Sequence, residues 1–275
     1  MAGLRVAITG ASGRMGGELV DAAAARDDIG FVLAASRTPG AVPSGDAPGA
    51  ADAVVADADL GAALRDRNID ALVDFTVPEA SVEYLEAAAA AGVAVVVGTT
   101  GYDEDGRDAL DAVADRVPFL KASNFSRGVA ALRRAVQATV PALDGYDVEV
   151  TETHHNGKLD APSGTALTIL DDIEGARGDS GDTDRVHGRE GEQPRTGDEI
   201  GVHARRAGDI AGEHEILLAG NNEVVELTHR AGSRSIFAAG ALDAAAWLVG
   251  RDPGRYDFDA VLDPDGDDGP NGNRQ

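Results

Sequence analysis

Through the first 125 residues, short apolar runs alternate with stretches of helical length. Val6–Gly10 precedes Met15–Arg26, Phe31–Ser36 follows, Ala71–Thr76 precedes Glu79–Ala91, Val93–Thr100 precedes Glu104–Arg116, and Phe119–Ser123 closes the series. Strands apolar at successive positions suit a sheet covered on both sides, so the repetition predicts an α/β fold with a parallel sheet between helices. From Asp147 the runs lengthen and alternate, in Asp147–His154, Glu199–Arg206, Glu213–Ala219 and Asn222–His229. That change predicts a second, α+β domain with a mixed, largely antiparallel sheet exposed on one face. Ser233–Val249 predicts one amphipathic helix carrying Phe237, Leu242 and Trp247, suited to return to the first domain. Thr38–Asp52 and Gly175–Asp198 are expected to be loops, the second mobile, and residues 263–275 a disordered acidic tail.

At 275 residues the chain has the size at which one core tends to divide into two. It has no cysteine, which excludes disulfides and thiolate metal sites, and His187, His203, His214 and His229 are too dispersed in sequence to predict a zinc site. The balance of 48 acidic against 24 basic residues gives a net charge of -24 and opposes broad contact with nucleic acid or anionic lipid. With Asp spread throughout and only Lys121 and Lys158 as lysines, the surface reads as salt-adapted and predicts a halophilic host. The start of the chain runs from Met1 into a strand without a signal-like segment, and no stretch approaches a membrane span, so the expectation is a soluble, cytoplasmic protein.

Directly after the first strand comes Gly10-Ala11-Ser12-Gly13-Arg14-Met15-Gly16, opening the first helix. Glycines there allow a tight turn and close approach to a pyrophosphate, which the helix N-terminus attracts through unpaired N–H groups and its dipole. The second strand ends at Ser36-Arg37, where an acid would hold the ribose hydroxyls of NADH. Ser36 and Arg37, with Arg14, would instead receive the extra phosphate of NADPH, the preferred cofactor, with NADH possible. Asp74-Phe-Thr76, Gly98-Thr99-Thr100 and Ala122-Ser123-Asn124-Phe125 lie at further strand ends, where ligands bind in open α/β sheets.

The densest chemistry is in Glu152-Thr-His154-His155-Asn-Gly-Lys158-Leu-Asp160-Ala-Pro-Ser163-Gly164-Thr165, after a strand-like run. A chain so poor in Lys places one beside two imidazoles, and Lys and His are the side chains that exchange protons or hold an anion. Proton chemistry on an anionic substrate is expected. Asp160 reads as a turn cap, and the Ser163 turn predicts a helix running to Ile173 whose N–H groups would hold a carboxylate.

Taken together, Gly10–Gly16, Gly98-Thr-Thr-Gly101, Ala122–Phe125, His154–Thr165, Arg206–His214 and Glu226–Arg234 resemble the dihydrodipicolinate reductase family, in order from about residue 4 to residue 262. The resemblance implies a Rossmann-like dinucleotide-binding domain from residues 1–125 and 233–262, with a substrate-binding and oligomerisation domain, 126–232, inserted. It also implies a homotetramer and a step in lysine and diaminopimelate synthesis, the reduction of 4-hydroxy-tetrahydrodipicolinate, a small cyclic imine with two carboxylates. Carried over, it makes His154 the acid/base residue, Lys158 the proton donor, and His155, Ser163, Gly164 and Thr165 the substrate grip. It places Gly10 to Met15, Gly98 to Thr100 and Ala122 to Phe125 around the dinucleotide. Ser36 departs from the acid common in members that use NADH readily, and Asn156-Gly157 departs from the family's usual pair. A different Rossmann reductase would lack the His-His-x-x-Lys spacing, and a nucleotide sensor would need neither His154 nor Lys158.

Overall fold

The computed structural model describes residues 3–45, 48–178, 183–197 and 199–262, so the predicted tail lies outside the described residues. In chain order the elements are β1 (Leu4–Thr9), α1 (Arg14–Ala24), β2 (Ile29–Ser36), β3 (Ala53–Ala56), α2 (Leu60–Asp66), β4 (Ala71–Asp74), α3 (Pro78–Ala91), β5 (Ala94–Val97), α4 (Glu104–Ala114) and β6 (Pro118–Lys121). There follow α5 (Arg127–Ala142), β7 (Asp147–His154), α6 (Gly164–Arg177), β8 (Asp184–His187), β9 (Glu199–Arg206), β10 (Glu213–Gly220) and β11 (Glu223–Arg230). The last elements among the described residues are α7 (Ser235–Leu248), β12 (Gly254–Tyr256) and α8 (Phe258–Val261). Two compact units result, one from residues up to Phe125 together with those from Arg234 onward, the other from Ser126–Ser233.

The first unit is built on a seven-stranded sheet in the order β12-β6-β5-β4-β1-β2-β3, in which every pairing is parallel. Strands β4 and β5 are buried at every residue, which is why they read as unbroken apolar runs. The edge strands β3 and β12 are short and only partly covered; β3 is a run of four apolar residues, whereas β12, Gly-Arg-Tyr, has none. Helix α7 is a core helix, not the amphipathic one expected. Ala238, Gly240, Ala241, Leu242, Ala244, Ala245 and Leu248 are all buried, because α7 packs against α1 and also against β4, β5 and β6. Small residues permit that approach. A methyl group on Gly240 would collide with the carbonyl of Phe125, whose ring lies 5.5 Å from Phe75 and 5.3 Å from Phe258.

The second unit carries a five-stranded sheet in the order β11-β10-β7-β9-β8. It is mixed but not largely antiparallel, since β10 pairs antiparallel with β11 and β7 while β9 pairs parallel with β7 and β8. One face meets α5 and α6 in a core of Leu132, Val136, Val140, Val148, Val150, Ile169, Leu170, Ile173, Ile200, Val202, Ile216 and Leu218. Residues two apart share a face, so β7 continues this row from Val148 and Val150 to Glu152 and His154. The core face thus turns polar at the C-terminal end of β7. The expected loop from Gly175 instead begins as the last turn of α6 and contains β8, a sheet edge whose Arg185 pairs with Glu174 and Asp171 at 2.6 Å. Its polarity hid a strand because an edge held by ion pairs needs no apolar run. Among the described residues no helix is long and apolar enough to cross a membrane.

Candidate active site

At the C-terminal edge of the first unit's sheet, Gly10 adopts φ +63 and Gly13 caps α1. No side chain caps this helix and no acid lies in its first turn, which suits an anion at its N-terminus. A methyl group on Gly16 would strike the Gly10 carbonyl, so the turn exists only with glycine there. These features fit a dinucleotide pyrophosphate. Ser12, Gly13, Arg14, Thr100 and Ser123 are exposed, Met15, Gly98, Ala122 and Asn124 partly covered, and Ala11 and Phe125 buried. At Gly98 a methyl group would meet the ring of Phe75, so glycine is required there by packing within the protein.

The strand end Asp74-Phe-Thr76 organises these turns through a buried carboxylate. Asp74, fully buried at the end of β4, accepts hydrogen bonds from Thr9 at 2.6 Å and Thr76 at 2.7 Å on Oδ1, and from Ser81 and Thr99 at 2.6 Å on Oδ2. Thr99 also accepts the Thr76 N–H, so its hydroxyl is engaged within the cradle. Ser36 is buried likewise. Its hydroxyl donates to Ser12 Oγ at 2.8 Å and accepts the Thr38 N–H at 3.1 Å. Arg37 is exposed and lines a cavity of about 620 Å³ with Asp57, Leu60, Glu79, Glu83 and Tyr84.

In the second unit, strand register brings the polar end of the core face together. Glu152 stands opposite His214 on β10, His214 opposite His229 on β11, and His154 opposite Arg206 on β9. His154 Nδ1 is 2.5 Å from Glu152 Oε2. Arg206 donates to both Glu152 oxygens, at 2.8 and 2.7 Å, and the Ser163 N–H donates to Oε1 at 3.1 Å. Burial would raise the Glu152 carboxyl, but these bonds from Arg206 and His154 outweigh it and hold the group below its ordinary pKa. His154 is pushed below its ordinary value by burial, against the opposing pull of Glu152.

Ser163 is buried and caps α6, accepting the Ala166 N–H at 3.1 Å, while Gly164 is exposed and Thr165 and His155 are partly covered. The Lys158 ammonium lies 2.8 Å from Asp160 Oδ1. The Asp160 carboxyl is held low chiefly by Lys158, with help from the Gly164 N–H. The donors around Asp160 thus already grip a carboxylate. The turn position of Asp160 is where the sequence put it, but its side chain serves Lys158.

The histidines that look scattered in sequence converge. The rings of His154 and His214 meet edge to face with centroids 5.3 Å apart, and His229 follows at 6.5 Å. His214 faces the Ser163 hydroxyl at 3.2 Å, and burial lowers its pKa to about 4. Among the described residues no group of His, Cys, Asp and Glu could hold a metal ion. Beyond the family resemblance the sequence assigns no role to Arg206 or His214, and it marks Glu152 only as the first residue of the segment that carries His154 and Lys158. The only signal for Glu152 and His214 was a charged or polar residue on the apolar phase of a strand.

Comparison with known proteins covers nearly the whole chain. The family description "Dihydrodipicolinate reductase, N-terminus" matches residues 4–125, and "Dihydrodipicolinate reductase, C-terminus" matches 128–262. The chain is 50% identical over 260 residues to a 4-hydroxy-tetrahydrodipicolinate reductase from Haloarcula marismortui, covering 94% of this chain and 99% of that one. It is 52% identical over 263 residues to the enzyme of the same name from Natronomonas pharaonis, covering 94% and 100%. Among solved structures, dipicolinate-bound dihydrodipicolinate reductase from Paenisporosarcina sp. TG-14 superimposes with TM-score 0.74 at 22% identity, covering 93% and 97%, a likeness of fold.

Proposed function

The chain belongs to the dihydrodipicolinate reductase family, and from that premise we propose that it reduces 4-hydroxy-tetrahydrodipicolinate to tetrahydrodipicolinate in lysine and diaminopimelate synthesis. Substrate, NADPH and a proton give tetrahydrodipicolinate, NADP+ and water. The observation that carries this reading is the convergence of His154, Lys158 and the start of α6, with Asp160 already seated among the carboxylate donors. A substrate carboxylate displaces Asp160 and takes up the Lys158 ammonium and the turn Ser163-Gly164-Thr165, with His155 beside it.

Hydride is what the nicotinamide supplies when bound. The residues that hold the dinucleotide are those of Gly10 to Met15, Gly98 to Thr100 and Ala122 to Phe125. As hydride arrives at the ring carbon remote from nitrogen, electron density moves toward the nitrogen, and a proton must meet it. His154 supplies that proton from Nε2, since Nδ1 is bound to Glu152. Lys158 stabilises the charge that develops and can share the transfer.

NADPH is the preferred cofactor, because β2 ends on Ser36 and the exposed Arg37 without the acid that would hold the ribose diol of NADH, the acids Asp57, Glu79 and Glu83 coming to the same cavity from other elements. Ser36, turned inward on Ser12, supports the turn that presents Arg37. The protein is further proposed to act in the cytoplasm as a homotetramer and, from its net charge of -24, to need salt. Below about 0.2 M salt the Debye length exceeds roughly 8 Å and self-repulsion among its carboxylates spreads.

The test is cofactor oxidation by the purified protein with enzymatically generated 4-hydroxy-tetrahydrodipicolinate. NADPH should be consumed only when substrate is present, with a lower KM than NADH. Absence of turnover with either cofactor at any salt concentration would overturn the assignment. In the same assay, activity should fall and unfolding begin at lower temperature as salt drops below about 0.2 M. Full stability at low salt would remove the halophilic reading.

A further inference from the structure

We propose that Glu152 is a positioning residue that fixes which nitrogen of His154 exchanges the proton and, through the same carboxylate, anchors the turn that binds the substrate carboxylate. The inference rests on the proposed role of His154 in proton transfer. A carboxylate offers about four lone-pair sites, and all four of Glu152 are taken. Oε2 faces His154 Nδ1 at 2.5 Å and Arg206 Nη1 at 2.8 Å, while Oε1 faces the Ser163 N–H at 3.1 Å and Arg206 Nη2 at 2.7 Å.

An ionised carboxylate can only accept, so Nδ1 must carry hydrogen in both charge states of the imidazole. Nε2 is left as the nitrogen that gains or loses the proton. Glycine at 212 leaves space beside that atom, where a Cβ would come within 3.1 Å of Nε2. Proton balance follows. The imidazolium releases its Nε2 proton to the substrate, the neutral ring keeps hydrogen on Nδ1, and Glu152 stays ionised throughout.

Anchoring is the second half of the role. The Ser163 N–H bonded to Glu152 belongs to the residue that caps α6, so the carboxylate sets the helix start. Arg206 extends the tie to the intervening loop by donating to the carbonyl of Asp160 at 2.5 Å. One buried carboxylate therefore spaces the proton-exchanging nitrogen from the anion-binding turn. The charged and titratable groups around the His154 ring are Glu152 on β7, Arg206 on β9, His214 on β10 and Lys158 on the loop. Of these, only Glu152 raises the basicity of His154, while Lys158 and Arg206 lower it.

The experiment is ¹⁵N NMR of histidine-labelled protein in its unliganded form, with the His154 signals assigned by their loss in His154→Gln. Neutral His154 should show hydrogen on Nδ1 and an unprotonated Nε2, and the reverse tautomer in the wild type overturns the proposal whether or not any variant folds. Glu152→Gln keeps the volume and an acceptor for the Ser163 N–H, but turns an amide donor toward Nδ1. That variant should reverse the tautomer, move the His154 limb of the pH–kcat profile to lower pH, and lower kcat at least about tenfold at pH 8, with a smaller loss at pH 6. An unchanged profile and kcat in a folded variant would leave Glu152 a structural residue only and overturn the inference. Lack of wild-type turnover would instead overturn the enzyme assignment, since the tautomer is read without substrate.

Discussion

Lys158→Ala and His154→Ala should each lower kcat for substrate reduction by about 10² to 10⁴ while leaving the KM for NADPH within a few-fold. Both side chains belong to the second unit, while the glycine turn, Asp74 and Arg37 belong to the first, so cofactor affinity should survive. The two losses should differ in form. Lys158 grips a carboxylate, as its 2.8 Å contact with Asp160 illustrates, so its removal should also raise the substrate KM. His154 acts on the proton, so its removal should fall mainly on kcat. Steady-state NADPH oxidation over a range of both substrates separates these terms. Unchanged kcat in either variant would remove that residue from the chemistry. A KM for NADPH changed by more than a few-fold would show that the units do not divide the work in this way.

Acid should unfold the protein early, and His214 should account for much of the loss. Burial, with repulsion from His154, lowers its folded pKa to about 4 from an ordinary 6.5. Between those values the unfolded chain binds the extra proton and the folded protein does not, so stability rises with pH across this window. Full stability is therefore present above pH 6.5 and falls as pH drops toward 4, by roughly 3 kcal/mol from this one ring. His154 and His229 are displaced in the same direction, and Glu152 adds a loss where its carboxylate is finally protonated. His214→Phe keeps a ring against His154 and removes the titration. Urea unfolding at constant salt should show the slope of stability between pH 6.5 and 4.5 flattened by a few kcal/mol in that variant. An identical pH dependence in both proteins would refute the neutral buried imidazole. Part of the cost at neutral pH should be small, because Nδ1 of His214 has no hydrogen-bond partner to lose.

The glycine turn was legible because only glycine satisfies a left-handed turn and a close helix contact, and such a requirement leaves a mark in sequence. Strands β4 and β5 were legible because burial on both faces demands apolar residues at every position. His154 and Lys158 stand out in the sequence because a chain with only two lysines sets one beside two imidazoles, and their proposed roles rest on that cluster. These are local constraints. By contrast β8 and β12 lie at sheet edges, where partial exposure or ion pairs replace the apolar signature, and the edge strand β3 is apolar but only four residues long. Helix α7 was legible as a helix but not as a core element, since alanines do not announce how many neighbours will cover them.

What the chain determined by itself was the kind of chemistry and the two-part architecture, through residues whose roles are set by their near neighbours in sequence. Tertiary structure alone decided how that chemistry is arranged. Register across β9, β7, β10 and β11 aligned Arg206, Glu152, His214 and His229, residues separated by up to 77 positions, on one face. The physical reason is that hydrogen-bond geometry and burial act between strands, so an imidazole's tautomer and basicity depend on partners that no local pattern can name.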